Sequence, residues 1–134
     1  MRAKFFCFVA GLGLLATAAP MMAHHSFTAE YDAAKPVTLT GTVTKVEWMN
    51  PHARFYIDVK DDSGNVTNWE LELGSPNTLI RYGWFRDTMK IGDQVVVEGY
   101  LARDGSKMAN SKTVKFADGR AFNAGSSVNL VQTK

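Results

Sequence analysis

The chain has one cysteine in 134 residues, and it stands at position 7. Cys7 lies inside an apolar N-terminal run beside Phe5 and Phe6, the wrong company for a lipid-attachment site. Once that run is removed, no thiol and no disulfide remain, which excludes thiolate metal centres and cysteine nucleophiles. Long hydrophobic runs are equally scarce. Phe5 to Ala19 is uncharged and mostly apolar, but a membrane span needs roughly 18 or more apolar residues. A charge excess is missing as well. Taking Arg2 and Lys4 from the 15 Lys+Arg leaves 13 against 13 Asp+Glu, so the chain from His24 onward is neutral apart from its histidines. The pI near 8.7 owes much to the N-terminus. A nucleic-acid binder shows a basic excess, and that class is set aside.

The N-terminus pairs two positive charges, Arg2 and Lys4, with an apolar run of signal-peptide length, so residues 1–23 read as a signal peptide and the protein as exported. Two cleavage points fit. Ala16-Thr17-Ala18 satisfies the small-x-small pattern and leaves Ala19 first. Cleavage after Ala23 leaves His24 first and is favoured, although Met21 at the third position back is not small.

About 111 residues follow position 23, enough for one modest core. Residues 24–36 are polar apart from Phe27 and Tyr31 and read as an extended lead-in. A first strand starts at Val37. Val37, Leu39 and Val43 share one parity, Val46 and Trp48 the other. Side chains alternate along a strand, so the swap requires a bulge, with Gly41 close by to permit it. A second strand spans 53–60, with Phe55, Ile57 and Val59 inward. A third spans 66–73, with Trp69, Leu71 and Leu73 inward. The cluster Asp61-Asp62-Ser63-Gly64-Asn65 turns between them. If Lys60 pairs with Val66, Arg54 faces Glu72 and Tyr56 faces Glu70 on the outer side. Ser75-Pro76 opens a short helix with Leu79 and Ile80 inward, and Gly83 ends it. Trp84 and Phe85 are expected to plug the barrel bottom. Strands at 94–102 and 110–116 complete the set, and residues 121–134 read as a tail. The order β-β-β-α-β-β predicts an all-β domain with one short helix, a small OB-like five-stranded barrel over 37–120.

His24-His25-Ser26-Phe27, Gly41-Thr42-Val43, Trp48 with Asn50-Pro51-His52, Ser75-Pro76-Asn77, Gly83-Trp84 and Gly92-Asp93 occur in this order. With these motifs the chain resembles a family of small exported proteobacterial proteins of unknown function. The resemblance spans nearly all of the mature chain. It implies a periplasmic setting and carries no catalytic residues.

The three histidines fall in two places: His24 and His25 at the expected mature N-terminus, and His52 after the Asn50-Pro51 turn. An N-terminal His24 would offer an α-amine and an imidazole as a chelate, and His25 or His52 a further imidazole. Such nitrogens suit copper foremost, and zinc or nickel also. Arg54, Tyr56, Glu70 and Glu72 form a candidate ligand or partner face. Glycosidase-type use of Glu70 and Glu72 would need two carboxyls across a deep cleft, which a small barrel hardly offers. The sequence thus points to an exported domain that binds rather than catalyses. Its leading ligand is a transition metal. The alternative is a metal-free adaptor for a periplasmic enzyme or membrane complex, with no membrane insertion of its own. Intact mass of the exported protein is expected to place His24 at its N-terminus; a chain starting at Ala19 would remove the amine–imidazole chelate.

Overall fold

In the computed structural model, which describes residues 27–126, residues 27–30 are helical and the chain then enters a 17-residue strand, β1 (Tyr31–Glu47). β2 (Arg54–Lys60), β3 (Val66–Glu72), a six-residue helix α1 (Pro76–Arg81), β4 (Gln94–Ala102), β5 (Met108–Phe116) and β6 (Ala121–Asn123) follow. The sheet order is β3-β2-β1-β4-β5-β6, and a further pairing of β3 with β5 closes five strands into a ring. That last pairing is parallel, Glu70 to Met108 through Glu72 to Asn110, and the others are antiparallel. A five-stranded ring with its helix between β3 and β4 is an OB-like barrel, as the element order predicts. Among the described residues no helix is long and apolar enough to cross a membrane.

β1 makes the ring possible because it serves two neighbours. Its first part pairs with β4 and its last part with β2, and Thr42 is matched to both Gln94 and Asp58. The β2 register slips between Val43 and Lys45, which is the bulge required by the parity swap. Val43 is buried before it, and Val46 packs on the same core after it. At the hand-over a Cβ on Gly41 would collide with the backbone carbonyl of Asp58, so only glycine lets the two strands approach. Inside the ring Phe55, Ile57, Leu71, Leu79 and Val114 are fully buried. The β2–β3 register is Lys60 with Val66, Tyr56 with Glu70 and Arg54 with Glu72, as the hairpin reading requires. Its turn is held by Asp61 Oδ1, which accepts from the amides of Ser63 and Asn65 at 2.9 Å each.

Ser75 caps α1, its Oγ accepting from the Thr78 amide at 3.3 Å, and Pro76 takes the first turn. Gly83, at φ +88°, follows the helix end. Two inward assignments need correction. Ile80 is 52% exposed and Phe85 64% exposed, whereas Leu79 and Trp84 are buried. A helix of six residues presents little more than one position to the barrel mouth, and Leu79 takes it. Trp84 fills the remainder, its indole donating to the Asn123 carbonyl at 2.8 Å. Phe85 falls in the next turn, where its amide donates to Thr88 Oγ1.

Both ends of the barrel also differ from the sequence reading. β1 begins at Tyr31 rather than Val37, with Tyr31 opposite Ala102. Phe27 and Tyr31 stand four residues apart, stack at 5.8 Å and bury themselves with Ala102 in a small second core. Residues 121–126, assigned to the tail, pack as part of the domain. Phe122 lies 5.1 Å from the Trp84 ring and 5.9 Å from Phe116. Ala124 bridges the barrel seam, accepting from the Gly74 amide and donating to the Lys112 carbonyl. The signal-peptide assignment, His24, His25 and the last eight residues lie outside the described residues.

Gly41→Ala is expected to lower the unfolding free energy by about 1–3 kcal/mol, the usual range for forcing extra volume into a packed site. Urea denaturation checks this: the midpoint should fall with an unchanged slope.

Candidate functional site

The β1–β2 connection contains a cis Asn50–Pro51 peptide and ends at Ala53, which is fixed between strands. The Ala53 amide donates to the Gly74 carbonyl at 3.0 Å, and its carbonyl accepts from the Leu73 amide at 2.9 Å. Ala53 therefore faces the core and its neighbour His52 faces out. Across the outer face the pairings set a row of four residues: Arg54 on β2, Glu72 on β3, Asn110 on β5 and Tyr100 on β4.

Glu72 is the centre of this row. Its parity sends it away from the barrel interior, as expected, yet its side chain is only 5% exposed. Oε1 lies 3.0 Å from His52 Nδ1 and 3.2 Å from Asn110 Nδ2. Oε2 accepts from the Tyr31 hydroxyl at 3.1 Å and stands 3.8 Å from the Arg54 guanidinium. The same guanidinium donates to Glu70 Oε1 at 2.8 Å. Glu70 and Glu72 thus share one cation instead of facing each other across a cleft. Asn110 is fully buried, and its Oδ1 has no partner.

These contacts shift the tyrosine and arginine equilibria. Burial, then the Glu72 charge, push the Tyr31 phenol far above its ordinary value. Burial opposes the charge on Arg54, but Glu70 and Glu72 outweigh it and raise its pKa. Tyr56 is raised by burial and by Glu70 and Glu47. Its hydroxyl lies 3.4 Å from Glu47 Oε2, and the Lys45 ammonium covers its ring at 5.0 Å. Lys45 also pairs with Glu47. Of the candidate face, then, Arg54 and Glu72 are built into the His52 cluster, Glu70 pairs with Arg54 at its edge, and Tyr56 turns to Lys45 and Glu47.

A groove of about 320 Å³ opens over the cluster, walled by Phe27, Tyr31, Pro51, His52 and Arg54. A second, of about 510 Å³, lies across Tyr31 and Arg54 and reaches the β4–β5 turn at Arg103 and Met108. Together they occupy the space between the first connection and the β4–β5 turn, over the β2–β3 face, where OB barrels hold ligands. The His52 side chain is 36% exposed beside the Glu72 carboxylate, and its ring lines the groove. An accessible imidazole nitrogen is a common metal ligand. Among the described residues no group of three or more His, Cys, Asp or Glu side chains is placed to hold a metal.

The sequence reading names His52, Arg54 and Glu72, and these meet. It misses Tyr31 and Asn110. The Phe27–Tyr31 spacing on a helical turn is the available signal for the first. Asn110 gives none, because its partner is fixed only by the parallel β3–β5 pairing.

The fold and site define an OB-like barrel with a buried carboxylate beside a histidine on its outer face. Residues 11–111 match the family of unknown function DUF6152, and the chain belongs to that family. Among curated proteins none matches it.

Folding holds the Tyr31 proton more tightly than the unfolded chain does. This stabilises the native state below the ordinary tyrosine pKa of about 10, and the gain is lost as pH rises above it. Above that pH, wild-type stability is expected to fall more steeply than that of Tyr31→Phe, by up to about 1.4 kcal/mol per pH unit. Urea melts of the two proteins across the alkaline range check this.

Proposed function

We propose that the protein is an exported, periplasmic binding domain that takes up a transition metal, copper foremost, through His52 and the N-terminal histidines His24 and His25. One observation carries the reading: the buried Glu72 carboxylate lies 3.0 Å from His52 Nδ1, and the half-exposed His52 walls the groove above it. Metal-ligating histidines characteristically donate their other ring N–H to a carboxylate or carbonyl. A histidine serving only as a turn residue has no need of a carboxylate sunk beneath the face.

Phe27 supports the inclusion of the terminus. It is 4% exposed and walls the same groove as His52. His25 and His24 precede it by two and three residues. At 3.8 Å per trans peptide, their Cα atoms lie within about 8 and 11 Å of Phe27 Cα. With His24 at the mature terminus, its amine, its imidazole and the His52 imidazole supply three nitrogens, a set suited to Cu(II). Affinity falls as pH falls, because every one of these ligands must shed a proton.

The adaptor reading draws on exposed apolar side chains at Ile80, Phe85 and Ile91. It predicts partner capture from periplasmic extract that is indifferent to chelators and to His52→Ala.

Cu(II) titration of the processed protein, followed by electron paramagnetic resonance, tests the metal reading. One ion per chain is expected. Glu72→Gln is expected to weaken binding by about 10–100-fold, the usual effect of losing an outer partner. A spectrum unchanged in the His24→Ala, His52→Ala double variant overturns it.

A further inference from the structure

Large apolar side chains left in water are concentrated in one stretch of the chain. Of the six exposed among the described residues, four fall within residues 80–91: Ile80, Tyr82, Phe85 and Ile91. Single exposed apolar residues are ordinary, but several from one short segment mark a contact surface. The inward positions of this stretch are already filled, because Leu79, Trp84 and Met89 are buried in the barrel core. The backbone is pinned as well. The Phe85 amide donates to Thr88 Oγ1 at 2.7 Å, the Lys90 amide to Asp93 Oδ2 at 2.9 Å and the Gly92 amide to the Val43 carbonyl at 2.8 Å. Phe85 and Ile91 therefore project from turns fixed at the α1 end of the barrel.

The same stretch gathers unpaired cations. Arg81, Arg86 and Lys90 are exposed, and their charged groups make no ion pair or hydrogen bond among the described residues. Lys35, Lys45, Arg54, Arg103, Lys115 and Arg120 all meet carboxylates. Arg81 also answers the C-terminal end of α1, but Arg86 and Lys90 have no such duty. Taking Arg2, Lys4 and Lys134 from the 15 Lys+Arg leaves 12 in residues 27–126, where all 13 Asp+Glu lie. Residues 80–91 hold three of these cations and one acid, Asp87, so nine cations remain against twelve acids elsewhere. This segment is net positive on a domain that is otherwise net negative.

A folded partner would need a recess to receive it, and the hollow beside Phe85, bordered by Trp48, Arg86 and Met89, measures about 10 Å³. A lipid headgroup layer needs no matching shape. It admits side chains that stand out, holds aromatic rings at its boundary and attracts Lys and Arg when its lipids are anionic. We infer that residues 80–91 dock the domain reversibly on an anionic lipid surface. Phe85 and Ile91 enter the headgroup layer, and Arg86 and Lys90 meet its phosphates. The inference is independent of the histidines and of any metal.

The test uses the processed protein, free of the apolar N-terminal run, and two double variants: Phe85→Ser with Ile91→Ser, and Arg86→Gln with Lys90→Gln. Co-sedimentation is measured with vesicles of equal parts phosphatidylcholine and phosphatidylglycerol, and with vesicles of phosphatidylcholine alone. Wild type is expected to partition onto the mixed vesicles at least tenfold more strongly than onto phosphatidylcholine, and to be released as salt rises. Each double variant should bind the mixed vesicles at least tenfold more weakly, each cation contributing about fivefold. Urea midpoints should stay close to wild type, because all four side chains are exposed. Amide exchange should slow at residues 85–91 on the mixed vesicles and not in the barrel strands. Wild type that stays in solution overturns the inference, and so does vesicle binding that either double variant retains. Self-association, or capture of a protein from extract, that depends on Phe85 and Ile91 without any vesicle binding also overturns it, and assigns the surface to a second copy or a protein partner.

Discussion

A carboxylate buried on the outside of a barrel is the constraint that organises this domain. Glu72 lies on β3 with its side chain nearly closed to water. Left unpaired at that depth it would cost several kcal/mol, and removing one partner of a buried charge typically costs about 3–5 kcal/mol. Its neighbours come from separate parts of the chain: Tyr31 opens β1, His52 lies in the first connection, Arg54 opens β2 and Asn110 stands on β5. No two of these sit within one element. Satisfying one side chain therefore fixes the position of the N-terminal segment, the turn after Pro51 and the closure of β3 on β5 together.

The barrel's geometry explains why those donors arrive. The bulge after Val43 lets one long strand pair with β4 and then with β2, which curls the sheet enough for β3 to meet β5. Only that last, parallel contact brings Asn110 beside Glu72. Closure at the seam is shared with the C-terminal residues. Ala124 ties Gly74 to Lys112, and the Trp84–Phe122–Phe116 ring cluster covers the barrel mouth. The interior is thus ordinary aliphatic packing. The polar specialisation lies on one strip of the outer surface.

How much of this the sequence discloses depends on the range of the physics involved. Strand alternation is local, so the inward faces of β2 and β3, the hairpin register and the bulge can be read from parity and turn residues. Helix capping is local too, which is why Ser75-Pro76 and Gly83 mark α1 correctly. Ile80 and Phe85 mislead because periodicity says which residues share a face. It does not say how many positions a six-residue helix can bury. β1 begins early because Tyr31 gains a pairing with Ala102, a contact 71 positions away that no window reveals. Glu72 is the plainest case. Its outward parity is legible, but its burial comes from Tyr31 and Asn110, and outward is therefore not the same as exposed.

On the proposed reading, the two halves of the site differ in kind. His52 and Glu72 are brought together by folding: a carboxylate fixed by Tyr31 and Asn110 stands 3.0 Å from one ring nitrogen of a half-exposed histidine. The His24 half would be prepared by the proposed processing. Within the precursor the His24 backbone nitrogen is an amide, whose lone pair is delocalised into the carbonyl and poorly suited to bind a metal while it keeps its proton. Cleavage before His24 turns it into an amine with a free lone pair. A site assembled this way would gain its full ligand set only on cleavage, and the unprocessed chain would lack the tight chelate. On that reading the folded half would supply direction and the new terminus affinity, with the described chain starting at Phe27, beside the groove that His52 lines.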